Sequence, residues 1–208
     1  MELDTISGRE ALDLVMRLLL RLTEAYDKLQ GDGTDVSALG CVDLASNDAE
    51  GTAKLVADYL VGSLQQLEGA NPTEINQEPT KGKLHNRFWL KTPPKLSIED
   101  YLTRYDKYCR SSSSTYIAAG RYIYELSVVH RRLPITRNNV YRVFAAAYVI
   151  AAKIVEDVLY PYKRYANTAG LSTVELAKLE TSFLFLCNFE FKIDHGLLQD
   201  SINQWENI

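Results

Sequence analysis

The sequence predicts an all-α fold, and three observations support this. The 208 residues contain no alternating apolar and polar run long enough for a convincing strand. Apolar residues instead recur at steps of three and four in several segments, the spacing of helices that bury one face. Residues 140–158 are largely apolar, which is typical of a helix enclosed by others. We therefore expect a helical bundle around one central apolar helix.

The first helix is predicted to begin at Ser7. Ser7 and Glu10 have the spacing of a capping box, in which each side chain bonds the other residue's backbone amide. After the cap, apolar residues recur at alternating steps of three and four and form a heptad seam along one face of the helix. This seam spans fewer than about three heptads, less than a dimeric coiled coil usually needs. Packing within its own domain is therefore favoured over a dimer seam. The apolar residues of the seam are Leu12, Val15, Leu19, Leu22, Tyr26 and Leu29.

A second helix is predicted over residues 47–67, and a polar, proline-containing connection follows it. The connection ends in Phe88, Trp89 and Leu90, which are unusually apolar for a linker. Two interpretations are open for these residues. They anchor the connection to the core, or they contact a partner, since Trp is enriched at interface hot spots.

Four more helices are predicted in the second half of the chain. Ser97 begins the first, whose Tyr101, Tyr105 and Tyr108 share one face at helical spacing. The serine run at 111–114 is suited to cap the second, because serine side chains accept from the free amides of a helix start.

The third of these helices is the apolar one, predicted over Asn139–Leu159 and made slim by several alanines. The fourth begins with another capping box, formed by Ser172 and Glu175. It becomes apolar on nearly every side after Glu180, so we expect its later turns to lie at the centre of the bundle.

Composition and charge argue against several classes of protein. Apolar residues make up 46% of the chain and the net charge is −4, so no global basic surplus favours nucleic acid or an anionic membrane. No apolar run approaches the roughly 18 to 20 residues of a membrane span. The first ten residues, MELDTISGRE, lack the pattern of a signal peptide. Three widely spaced cysteines favour reduced thiols and a cytoplasmic and/or nuclear location.

The sequence offers no constellation for catalysis, metal or cofactor binding. Its three histidines, His85, His130 and His195, are far apart, and common catalytic and phosphate-binding motifs are missing. We therefore expect a binding module without a cofactor rather than an enzyme. A phosphate or substrate patch forms if the fold brings four basic residues together, although a solvated surface is the default. These residues are Arg131, Arg132, Lys163 and Arg164.

Several motifs occur in order over residues 93–192, and together they resemble the cyclin box. They read LSIEDYLTRYDKY, NNVYR, AAKIVED, YANTAG and ELAKLETSFLFLCNFEF. The closest resemblance is to single-box cyclins of the P/U type, a class that includes the yeast phosphate-response cyclin and plant U-type cyclins. The resemblance implies a cyclin-box bundle with additional N-terminal helices. The short stretch after Phe191 is expected to leave no room for a second box.

The resemblance also suggests a division of the chain. Residues 1–83 are expected to form an N-terminal helical extension with a polar linker, and residues 84–192 the cyclin box. Residues 193–208 are expected to be a tail or short helix. A homo-oligomer is not expected.

The function implied by the resemblance is a regulatory subunit that binds and activates a cyclin-dependent protein kinase. Members of the family hold the kinase αC helix inward and support its activation segment. The family's kinase-contacting lysine and glutamate correspond to Lys153 and Glu180, and the implied surface includes Asp157, Tyr148 and Phe183. The alternative function is a cyclin-like scaffold that binds proteins other than kinases.

Spacing alone allows a different role for Lys153. Lys153 and Asp157 stand four residues apart, so on one helix they form an ion pair worth about 0.2–0.5 kcal/mol. In that case the lysine stabilises its own helix and has no partner protein. The family pattern favours the kinase contact.

Overall fold

The computed structural model describes residues 1–31 and 85–206, and its regular structure there is entirely helical. This confirms the predicted all-α class. The helix predicted over residues 47–67 lies outside the described residues. A π-helical turn at Glu125–Val129 directly follows the α-helix Ser113–Tyr124. The α-helices are α1 Gly8–Gly31, α2 Ile98–Cys109, α3 Ser113–Tyr124, α4 Val140–Val155, α5 Tyr162–Ala169, α6 Thr173–Leu186 and α7 His195–Glu206.

Helix α4 lies at the centre of the bundle. Every residue from Val140 to Ala152 except Arg142 is buried. Helices α3, α5 and α6 all contact it, and its alanines present small side chains to these neighbours. The prediction of a central apolar helix is confirmed.

Helix α1 packs inside the same core. The predicted seam faces α2, α3 and α7, and its residues from Leu12 to Tyr26 are at most 2% exposed. At the crossing with α3, a Cβ added to Gly120 would lie 2.9 Å from both the Trp205 ring and the Val15 side chain. The seam is therefore used within the chain, as the sequence favoured, and α7 closes the bundle beside it.

The predicted caps form at four helix starts, including α3, where the Ser112 hydroxyl accepts from the Thr115 amide at 3.3 Å. The Ser7 hydroxyl accepts from the Glu10 amide at 3.2 Å, while the Glu10 carboxylate accepts from the Ser7 amide at 2.9 Å. Ser172 and Glu175 make the same reciprocal pair. At α2 the Ser97 hydroxyl accepts from the amide three residues on, at 3.0 Å.

Helix α4 ends earlier than predicted. The apolar pattern indicated a helix through Leu159, but the helix stops at Val155 and Glu156 takes an extended backbone. The Glu156 carboxylate accepts from the Ser112 amide at 2.7 Å, the Ser112 hydroxyl at 2.9 Å and the Thr115 hydroxyl at 2.6 Å. These bonds to the start of α3 compete successfully with continued helix.

The apolar end of the connection is anchored to the core. Phe88 is fully buried and meets Phe183 edge to face, with ring centroids 6.4 Å apart. The Leu90 amide donates to the carbonyl of Asn138 at 2.9 Å. The first of the two interpretations of this segment is therefore confirmed for Phe88. In the ranges described, no helix is long and apolar enough to cross a bilayer.

Candidate functional site

Lys153 and Glu180 meet at the edge of the bundle. Lys153 lies in the last turn of α4 and forms an ion pair with the Oε1 oxygen of Glu180, which lies in the middle of α6. Tyr162, the first residue of α5, donates its hydroxyl to Oε2 of the same carboxylate at 2.9 Å. Its ring centroid lies 5.2 Å from the Lys153 ammonium. We call Lys153, Tyr162 and Glu180 the ion-pair cluster.

The two charges of the ion-pair cluster differ in exposure. The Lys153 side chain is 42% exposed, whereas the Glu180 side chain is only 13% exposed. The ammonium therefore keeps donors that reach solvent, and the carboxylate serves mainly to hold it. Burial, together with the hydrogen bond to Glu180, raises the pKa of Tyr162 well above its usual range. A tyrosine is protonated at physiological pH even at its ordinary pKa of about 10, so Tyr162 acts as a donor there.

The alternative pairing of Lys153 with Asp157 is wrong for this structure. Helix α4 ends at Val155, so Asp157 lies beyond the helix and an i,i+4 pair cannot form in helical geometry. Lys153 pairs with Glu180 on another helix instead. Asp157 itself is exposed, next to the ion-pair cluster along the chain.

Exposed apolar side chains follow Lys153 along the chain. Ile154 is 47% exposed, Val158 84% and Leu159 45%. We call these three residues the apolar edge. Large apolar side chains exposed close together mark interaction surfaces more often than isolated ones do.

A groove adjoins the ion-pair cluster at Tyr162. It has a volume of about 500 Å³, and Tyr162 belongs to both features. Its other lining residues are Arg87, Thr173, Val174, Ala177, Lys178 and Thr181.

Tyr148 and Phe183 are not part of the exposed surface. Both are fully buried. The Tyr148 ring packs edge to face on Tyr105, and Phe183 packs against Phe88 and Phe191. A side chain with no exposed surface cannot contact a docked partner, so the expectation that these two residues touch the kinase needs correction. They support α4 and α6 from inside.

Two of the four basic residues of the predicted patch, Arg132 and Arg164, contact separate helix ends. The Arg132 guanidinium donates to the Leu186 carbonyl at the end of α6, at 2.6 Å. Arg164 donates to the Tyr108 carbonyl near the end of α2, at 2.5 Å. Cations at these positions complement the helix dipole. These contacts favour helix capping over a shared phosphate site.

Two functional features were not recognised in the sequence. Tyr162 was not singled out because its partner, Glu180, lies on another helix and no local pattern joins them. Glu156 was noted only as part of the AAKIVED motif, although it holds the start of α3 to the end of α4. The sequence around Glu156 gave no indication that its carboxylate bonds the start of α3.

The described residues include no group of His, Cys, Asp or Glu able to hold a metal ion. Cys109 and Cys187 are buried free thiols. Burial raises the pKa of both. Neither thiol therefore has the lowered pKa of a reactive cysteine.

Comparison with known proteins gives consistent matches. The family model for cyclins matches residues 56–191, which include the whole ion-pair cluster. Cyclin-U4-1 of Arabidopsis thaliana is 37% identical over 143 residues, or 68% of this chain and 69% of the relative. Cyclin-P3-1 of Oryza sativa subsp. japonica is 35% identical over 141 residues, or 67% and 57%. PHO85 cyclin-7 of Saccharomyces cerevisiae is 22% identical over 198 residues, or 87% and 68%.

Proposed function

Because the chain belongs to the cyclin family, among its P- and U-type members, we propose that it binds and activates a cyclin-dependent protein kinase as a regulatory subunit. The observation that carries the proposal is the ion-pair cluster, in which a half-exposed ammonium is held in place by a largely buried carboxylate. The name of its yeast relative, PHO85 cyclin-7, suggests a kinase of the PHO85 kind as partner.

The ion-pair cluster is suited to grip the end of a partner helix. A lysine ammonium has three donors, and Glu180 occupies one side of it. The remaining donors can bond backbone carbonyls, which are free at the C-terminal end of a helix and carry its negative dipole. Charge-assisted bonds of this kind set the register of an interface. Since Lys153 is held before binding, less side-chain entropy is lost on association.

The apolar edge supplies the other component of an interface. Ile154 follows Lys153 directly, and Val158 and Leu159 lie on the segment that leaves α4. Apolar side chains that become covered on binding contribute about 25 cal/mol per Å² of buried area. Asp157 lies within the same stretch and is available for a peripheral charge contact.

Activation would follow from preference for one kinase conformation. A protein that binds the inward position of the αC helix more tightly than the outward position shifts the kinase toward the inward state. In that state the kinase forms its own lysine–glutamate ion pair, and its activation segment is supported. The chain contributes no catalytic group in this mechanism.

Affinity purification followed by a kinase assay tests this function. We expect a cyclin-dependent kinase to co-purify with the chain, identified by mass spectrometry. The purified kinase should phosphorylate protein substrates faster when the chain is added. Recovery of a different stable partner, with no kinase and no stimulated activity, would instead support the cyclin-like scaffold.

A further inference from the structure

We propose that Tyr162 is a positioning residue for kinase binding, holding the Glu180 carboxylate so that Lys153 presents its ammonium outward. This inference rests on the proposed function and adds a residue to it. Tyr162 itself reaches the partner only through the two charges it orders.

The hydrogen bonds divide the Glu180 carboxylate between two partners. Oε1 pairs with Lys153, and Oε2 accepts from the Tyr162 hydroxyl at 2.9 Å. A carboxylate held at both oxygens is fixed in rotation as well as in position. Glu180 holds Lys153 in place, and Tyr162 in turn holds Glu180 in place.

Burial makes this second anchor necessary. The Glu180 side chain is only 13% exposed, so water supplies few donors to Oε2. A largely buried carboxylate oxygen without a donor is costly. If the tyrosine hydroxyl is removed, the carboxylate rotates toward solvent to regain a donor. Lys153, on a flexible four-carbon stem, then loses its fixed direction.

The Tyr162 ring acts on the lysine as well. Its centroid lies 5.2 Å from the Lys153 ammonium, within the range of a cation–π contact. The hydroxyl and the ring thus restrain the two charges separately. A change to phenylalanine removes the first restraint and leaves the second.

Tyr162 is itself held by the frame of the bundle. It begins α5 directly after Pro161, whose ring fixes its own φ, here −53°. Arg164 ties the same helix to the Tyr108 carbonyl of α2 at 2.5 Å. Arg104 of α2 reaches back to the Asn167 carbonyl at 3.3 Å. The position of the hydroxyl is therefore set by packing between helices.

The test compares Tyr162→Phe with Tyr160→Phe. Tyr160 lies two residues away and is also half-buried, and the described residues offer its hydroxyl no hydrogen bond. Tyr162→Phe should weaken kinase affinity about fivefold, because a loosened Lys153 side chain loses more conformational entropy on association. Tyr160→Phe should stay within about twofold of the unaltered chain. Circular dichroism at the assay temperature should be unchanged in both variants, whereas Tyr162→Phe should melt at a slightly lower temperature because the Glu180 carboxylate loses a donor.

A second readout needs no kinase. We expect acetic anhydride to label Lys153 about threefold faster in Tyr162→Phe, measured by mass spectrometry, because the loosened amine is freer to react. Tyr160→Phe should label at the unaltered rate. Unchanged labelling together with unchanged kinase affinity would overturn the positioning role. Faster labelling in a chain that binds no kinase at all would support the positioning role and contradict the proposed function.

Discussion

Two carboxylates close to the end of α4 have different surroundings. Glu156 accepts three hydrogen bonds, all from Ser112 and Thr115 at the start of α3. Glu180 accepts from Tyr162 and Lys153, and the lysine is 42% exposed. All the partners of Glu156 are groups that the fold uses internally. One partner of Glu180 is instead an ammonium that still has donors exposed to solvent. The difference shows that an acidic residue near a surface is informative only when its partners are known.

The three bonds also change the acidity of Glu156. Burial works to raise the pKa of this carboxyl, but the hydrogen bonds from Thr115 and Ser112 outweigh burial and lower it below its ordinary value. A lowered carboxyl pKa means that the folded state favours the charged form. Glu156 thus stabilises the fold, and its role does not require a partner.

The largest effect should come from opening the ion-pair cluster. Lys153→Ala combined with Glu180→Ala should weaken kinase affinity by more than about 100-fold, since an interfacial charge contact is lost. Removing both residues avoids leaving an unpaired, largely buried carboxylate. Calorimetry with the purified kinase measures the affinity. Helical circular dichroism and the melting temperature should change little, and loss of the fold would assign both residues to structure.

Glu156→Ala should have a smaller effect, which lowers stability and leaves kinase affinity nearly unchanged. The start of α3 loses its acceptor, so the free energy of unfolding should fall by about 1–2 kcal/mol. Urea denaturation measures this change. Kinase affinity, determined well below the melting temperature, should stay within about threefold of the unaltered chain. A large loss of affinity with an intact fold would show that Glu156 contacts the partner.

The smallest effect is a dependence on pH. Because the folded-state pKa of Glu156 lies below the ordinary glutamate value of 4.5, the unfolded chain binds more protons in the range between the two values. The stabilisation from Glu156 is therefore complete above the unfolded pKa and is lost as the pH falls through the folded pKa. The difference in unfolding free energy between the unaltered chain and Glu156→Ala should shrink as the pH falls below the ordinary carboxyl value. A constant difference would contradict this account.

Local patterns predicted much of the fold. Capping boxes at Ser7 and Ser172 and the seam of α1 depend on residues three or four apart, and all three formed as predicted. The uniform apolarity of α4 likewise placed it at the centre. These features are readable because the partners are neighbours along the chain.

Features that join distant residues were predicted less well. The end of α4 depends on bonds between Glu156 and a helix that begins some 40 residues earlier, and a continuing apolar pattern concealed them. Tyr162 and Glu180 meet only because α5 packs on α6. Phe183 and Tyr148 were expected at the surface, although the apolar surroundings of each indicated the core. Only the family pattern brought Lys153 and Glu180 together in advance.

A photocrosslinking experiment tests the central claim most directly. A benzoylphenylalanine placed at Ile154, which is 47% exposed beside Lys153, should crosslink to the kinase within its αC helix, as mapped by mass spectrometry. The same group at Val129, which is 57% exposed beyond α3, serves as the control and should give little product. Equal yields from both positions, or a crosslink from Ile154 to a kinase segment remote from the αC helix, would contradict the claim.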